Sequence, residues 1–273
     1  MRKSILILVL VLLGSMLAGA QQGGPPDYVS LWVARTQNPL EFEAVSKRFI
    51  EAYAKARPEA NWVVAQRIFG EPGTYVLFTE RSGWAEFDTE PHDMEVLAKA
   101  FGPAQAQQIM RQAIGAVESS ESSFLRVRPD LSRMDDPKFT PPMAKVMRAT
   151  AYWIKPGRGP DFERAVKHFI EAVNKIEAPI HFTTAMTMSG GGPAYWIVTF
   201  APNFAVFDAD PGNPVVKAFG QADWDKMRME IAGFVEKVEN YTHVLRPDLS
   251  RPPKPYIDAN PEMWTPKPPA AKR

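Results

Sequence analysis

The chain has 273 residues, no cysteine, 26 prolines and a formal net charge of +1, so disulfides, thiolate catalysis and cysteine-held metal clusters are excluded. With 32 basic against 31 acidic residues and no long like-charge block, it lacks the concentrated basic surface that nucleic acid requires.

The chain opens with Arg2-Lys3, an unbroken aliphatic run from Ile5 to Leu13, and the small-residue step Ala18-Gly19-Ala20. This layout predicts a signal peptide over residues 1–20, cut before Gln21. The apolar stretch is short for a spanning helix, so the expected product is exported, periplasmic or secreted, with no membrane attachment after cleavage. The remaining ~250 residues are enough to bury a full core unaided.

From Asp27 onward the sequence is written twice. "EFEAVSKRFIEAYAK" at Glu41 matches "DFERAVKHFIEAVNK" at Asp161, and the offset of 120 also pairs Gly70 with Gly190 and Tyr75 with Tyr195. After a two-residue deletion the offset becomes 118 and ends on an identical hexapeptide, RPDLSR, at Arg128–Arg133 and Arg246–Arg251. Repeat 1 spans 27–133 and repeat 2 spans 148–251. A proline-rich linker, 134–147, separates them, and a proline-rich tail, 252–273, follows.

Each repeat begins with a short aromatic and β-branched strand, "YVSLWVART" or "RATAYWIKP". The helix after it carries Phe162, Ala165, Val166, Phe169, Ile170 and Val173 at helical spacing, with Glu163, Lys167 and Glu171 on the other face. Two strands follow, joined by Gly70-Glu71-Pro72-Gly73 in one repeat and Gly190-Gly191-Gly192-Pro193 in the other. The triple glycine precedes a strand rather than a helix, so it reads as a hairpin turn and not a phosphate loop. A longer helical region is expected over about 95–119 and 214–238, then a last strand, "SSFLRVR" or "NYTHVLR". RPDLSR then reads as the exit from that strand, because proline extends the residue before it and Asp-Leu-Ser supplies turn chemistry. An alternative use of Arg128 and Arg246 is to grip an anion. In the tail, Tyr256 and Trp264 are the candidates to pin it to the body.

The order β-α-β-β-α-β, twice on one chain, resembles the dimeric α+β-barrel superfamily in a fused two-repeat form. The resemblance implies an α+β fold of two ferredoxin-like halves packed sheet to sheet as a pseudo-dimeric barrel with the helices outside. Relatives of that architecture include antibiotic-biosynthesis-type monooxygenases, haem-degrading monooxygenases and chlorite-dismutase-like haem proteins. No catalytic motif of those families is present here, and a fold does not supply a function. A monomer suffices to close such a barrel, and the sequence leaves the oligomeric state open.

Strand alternation then proposes a lining. The wholly apolar sets Val29, Leu31, Val33, Val76, Phe78, Trp196, Val198 and Phe200 are expected under the helices. Trp32, Tyr75, Thr79, Tyr152, Tyr195 and Thr199 are then left for the lumen, with Ser30 and Thr150. That face fits a flat apolar or aromatic ligand with one or two polar groups; the plain alternative is a packed core whose hydroxyls bond locally. Arg67, Arg126, His181 and His243 do not sort to a face. The four histidines show no ligand spacing, so no metal and no cofactor are predicted, with haem on a single histidine as the remote alternative.

Three functions compete: a binding barrel for a small apolar ligand; a cofactor-independent monooxygenase acting on a phenol or quinol, with His243 or His181 as base; and a structural or partner-binding module that uses the tail.

Overall fold

The periodicities of the sequence become eight strands: β1 Tyr28–Arg35, β2 Val63–Arg67, β3 Thr74–Arg81, β4 Ser119–Val127, β5 Val146–Ile154, β6 Thr183–Gly190, β7 Tyr195–Ala201 and β8 Val235–Leu245. The computed structural model describes residues 26–208 and 212–265; the expected signal peptide and the last eight residues of the tail lie outside the described residues. Within each half the strands pair in the order 4-1-3-2, as β4-β1-β3-β2 and β8-β5-β7-β6. Two further antiparallel pairings, β2 with β8 and β4 with β6, join the halves edge to edge and close an eight-stranded barrel. This is the dimeric α+β-barrel architecture with both halves on one chain. Closure leaves no free edge to recruit other strands.

Helices α1 (Pro39–Ala56) and α4 (Gly159–Lys175) lie outside the barrel, as the apolar stripe requires. α1 starts at Asn38, whose side chain accepts the Glu41 amide at 3.3 Å, and buries Phe42, Val45, Ala52 and Ala56. α4 buries Phe162, Val166, Ala172 and Val173. The expected long second helix is two helices in each half: α2 (Asp93–Phe101) and α3 (Pro103–Ala116), then α5 (Gly212–Phe219) and α6 (Gln221–Phe234). The break falls at Gly102 and Gly220, whose φ of +85° and +72° take the chain out of the helix as only glycine does cheaply. β8 starts at Val235, earlier than the strand expected at Asn240.

Each RPDLSR leaves its strand through a single 3-10 turn, Pro129–Leu131 and Pro247–Leu249, and then binds the opposite half. Arg128 contacts Glu163 of α4 at 2.5 and 3.0 Å and its own neighbour Asp130 at 2.8 Å. Arg246 contacts Glu43 of α1 and Gln66 of β2, both at 2.6 Å, and Asp248. Leu131 and Leu249 are fully buried, against Phe162 and Phe42 respectively. Ser132 accepts the Thr184 amide and Ser250 the Val64 amide. Arg133 caps the carbonyls of Ala178 and Ile180, while Arg251 caps those of Ile50, Pro58 and Ala60. The hexapeptide is repeated because it is a reciprocal clamp, each copy holding the other half. Its leading arginines are each neutralised by two carboxylates, which removes the anion-gripping alternative.

The linker and tail cover the mouth at which β1, β2, β5 and β6 begin. Two short helices, α7 (Lys254–Ala259) and α8 (Pro261–Trp264), place Tyr256 and Trp264 in one buried cluster with Val63, Ala65, Phe78, Met147, Phe200 and Leu245. Trp264 Nε1 donates to the Pro142 carbonyl of the linker at 2.7 Å, and the Tyr256 hydroxyl donates to Glu80 at 2.7 Å. Burial raises the pKa of Glu80, against that hydrogen bond. The two tail aromatics are spent on this chain's own barrel and are not free to contact a partner.

Candidate functional site

The mixed origin of that cluster identifies the lumen, since it draws side chains from five strands of both halves. Side chains alternate along a strand and antiparallel partners share a face. Phe78 therefore places Val76 and Glu80 inside, with Val29, Leu31 and Val33 of β1 opposite them. The same rule puts Arg67 inside from β2, Glu239, Tyr241 and His243 from β8, Ala149 and Ala151 from β5, and Trp196 and Val198 from β7.

The expected lining is therefore inverted. Trp32, Tyr75, Thr79, Tyr152, Tyr195 and Thr199 all stand on the outer face, toward the helices. Trp32 and Tyr75 stack on Phe42 of α1 at 6.4 and 4.5 Å; Tyr152 and Tyr195 meet Phe162 of α4 at 5.1 and 4.5 Å. Thr79 lies opposite Ser30, and Thr199 opposite Arg148, on that same face. The expectation fails because both faces of this sheet are buried, so an apolar set does not point to the helices. Hydroxyls are tolerated under the helices because carboxylates there accept them. Tyr75 donates to Glu43 at 2.7 Å and Tyr195 to Glu163 at 2.8 Å, which joins both tyrosines to the RPDLSR clamps. The Arg246 guanidinium, through its hydrogen bond, holds Glu43 at about 2 despite partial burial.

The two candidate bases are not brought together. His181 precedes β6 and is fixed by the linker: Nδ1 lies 2.7 Å from Asp135 Oδ1 and the ring stacks on Phe139 at 4.5 Å. Its carboxylate partner comes from a segment that strand reasoning did not reach. His243 is on β8, three strands away around the barrel.

The lumen holds a different constellation. The buried side-chain nitrogen and oxygen atoms without a hydrogen-bond partner, among the described residues, are Arg67 Nε, Trp196 Nε1 and both ring nitrogens of His243. All belong to lumenal residues, and Tyr241 is their hub. The Arg67 guanidinium lies over the Tyr241 ring at 3.9 Å, and the Trp196 and His243 rings each have centroids 6.3 Å from it. Arg67 and His243 are direct cross-strand partners. The Tyr241 hydroxyl donates to Glu239, which also receives Lys237 at 2.8 Å. Tyr241 is pushed up to about 12 by burial and by Glu239. His243 is 2% exposed; burial, then the neighbouring Arg67 charge, lowers it to about 3, against the nearby Met147 backbone, which raises it, so the imidazole is neutral at physiological pH.

Buried polar groups in folded proteins are nearly always paired, and each one left unpaired costs about 1–3 kcal/mol. Four such atoms around one ring, toward the mouth that the tail does not cover, form the candidate site. His243 is the histidine of this constellation; Arg67 on β2 and Met147 on β5 are its cross-strand neighbours, and its side chain is 2% exposed.

The signal that marks these residues is a failure of the repeat. Tyr75/Tyr195, Glu43/Glu163 and Arg128/Arg246 match between halves and are structural. Arg67, Trp196, Tyr241 and His243 align with Thr187, Val76, Ser123 and Leu125. The second half, with Arg67 added from the first, holds what the first half's positions lack.

No family model matches the chain, and no curated protein matches it. Solved structures do. An anthrone oxidase-like protein shares 10% identity at a TM-score of 0.48, with 80% of this chain and 91% of that one covered. A haem-binding protein from Thermus thermophilus shares 11% at 0.42, over 81% and 91%. A dye-decolorizing peroxidase from Bacteroides thetaiotaomicron shares 8% at 0.43, over 81% and 94%. Similarity at this level carries no functional argument.

Proposed function

We propose that this chain is an exported binding protein whose barrel lumen takes a small, largely apolar molecule bearing a polar group. The observation that supports the reading is the set of four buried, unpartnered polar atoms gathered around Tyr241. An apolar wall with a few convergent polar groups is the usual form of a small-molecule site, and an eight-stranded barrel is of a size to enclose one small ligand. Export follows from the leader-like residues 1–20.

The monooxygenase reading has one observation in its favour: a neutral imidazole stands beside a guanidinium able to stabilise a phenolate. A general base works best with a pKa near the working pH, and His243 is held at about 3, so binding is the better-supported function.

Native mass spectrometry of the gently purified, tag-free protein tests the proposal. A non-covalent adduct of defined mass, lost from a Trp196→Ala variant, is the expected result. A bare chain mass, together with no rise in melting temperature across a panel of apolar compounds, would sink it.

A further inference from the structure

We propose that the group recognised in the lumen is a carboxylate, carried on a flat aromatic body, with Arg67 as its counter-ion. This rests on the lumenal-binding reading above and names the ligand class for that site.

The argument is a comparison of arginines within the molecule. Arg128 and Arg246 are each met by two carboxylates, and Arg81 is met by Glu86 and Glu90. Arg133 pairs with Asp135 and caps two carbonyls, and Arg251 caps three carbonyls. Arg67 is half-buried, yet its Nε has no partner, and none of its nitrogens meets a carboxylate among the described residues. It lies over the face of Tyr241 and beside His243, with the Glu239 charge acting on it from further off. A buried guanidinium Nε without an acceptor is costly, and the planar fork it belongs to is matched in geometry by a carboxylate.

The rest of the constellation agrees. Arg67 Nε and Trp196 Nε1 are donors only, so an acceptor-rich group is wanted. Glu239 does not answer that need, being taken by Lys237 and the Tyr241 hydroxyl. Glu121 and Arg35 lie near the same mouth; Arg35 is paired with Glu71. The walls are the Tyr241 and Trp196 rings, with Ala149 beside Tyr241 in register and Ala151 beside Trp196, so small side chains adjoin the large rings on the same face of the sheet.

The test is calorimetric titration of the exported chain with 2-naphthoate and with 2-naphthamide, a neutral analogue of the same shape. The expected result is that the acid binds more tightly than the amide and that Arg67→Met weakens the acid by about tenfold or more, with a clearly smaller loss for the amide. Arg67→Lys, which keeps the charge but not the fork, is expected to fall between. If Arg67→Met does not fold, as judged by its melting transition, Trp196→Phe removes one donor while keeping a ring and is expected to weaken the acid more than the amide, whose single carbonyl oxygen is the weaker acceptor. Binding of the amide at least as tight as the acid, or acid binding indifferent to the substitution that folds, overturns the carboxylate assignment and leaves lumenal binding standing. Binding of neither compound, in a protein that also shows no adduct by mass spectrometry, overturns both.

Discussion

Truncating Trp264 to alanine tests whether the tail belongs to the barrel core. The indole is 1% exposed, lies edge-on to Tyr256 at 5.6 Å, and donates to the Pro142 carbonyl. Trp→Ala at a fully packed site costs about 3–5 kcal/mol, part of which is the carbonyl left without its donor. For a chain of this size each kcal/mol moves the melting temperature by roughly 2–4 °C, so ~4 kcal/mol predicts a fall of about 8–16 °C. Trp264→Phe keeps most of the volume and loses the hydrogen bond, and should cost only about 1–2 kcal/mol. Trp84→Ala serves as the control, because that indole is 51% exposed, and it should move the transition by less than half as much. Thermal melts of the three variants, followed by circular dichroism, provide the comparison. A Trp264→Ala protein that melts within about 3 °C of the parent would show that the tail is an appendage and that the mouth it covers is open.

Two further predictions concern the clamp and the lumenal histidine. Arg246→Met strands Glu43 and Asp248 in a partly buried setting and should destabilise by about 2 kcal/mol, measured by urea unfolding; an unchanged midpoint would mean that the repeated hexapeptide is only a strand exit. Glu43 and Asp130 are both held at about 2 in the folded state, from ordinary values of 4.5 and 3.8. Their contribution is therefore full above pH 4.5 and is lost as the pH falls toward 2. His243 acts earlier. With its folded value lowered from 6.5 to about 3, the unfolded chain takes up the proton first, and stability falls from pH 6.5 downward by up to about 1.4 kcal/mol per pH unit. His243→Leu, the residue type at the matching position of the first half, should flatten the melting temperature between pH 6.5 and 4.5 and leave the steeper loss below it. An unaltered slope in that window would show that the imidazole is not buried uncharged.

The duplication, the element order and the strand exits at RPDLSR were legible in the sequence, because they rest on local features: repeated identities, helical and strand periods, and turn chemistry at Pro129 and Pro247; that each exit clamps the opposite half was not. Even the break at Gly102-Pro103 was written there as a glycine before a proline, though the helical period on either side hid it. Which face of each strand became the lumen was not legible. Alternation announces a face only when one side of a sheet meets water, and here helices cover one side while the opposite half and the tail fill the other. Tyr75 and Tyr195 look like pocket hydroxyls until Glu43 and Glu163 are seen beneath them. Likewise Arg67, Trp196, Tyr241 and His243 are ordinary strand residues until the β2–β8 pairing sets them side by side. That juxtaposition depends on edges some 180 residues apart, and only closure of the barrel decides it.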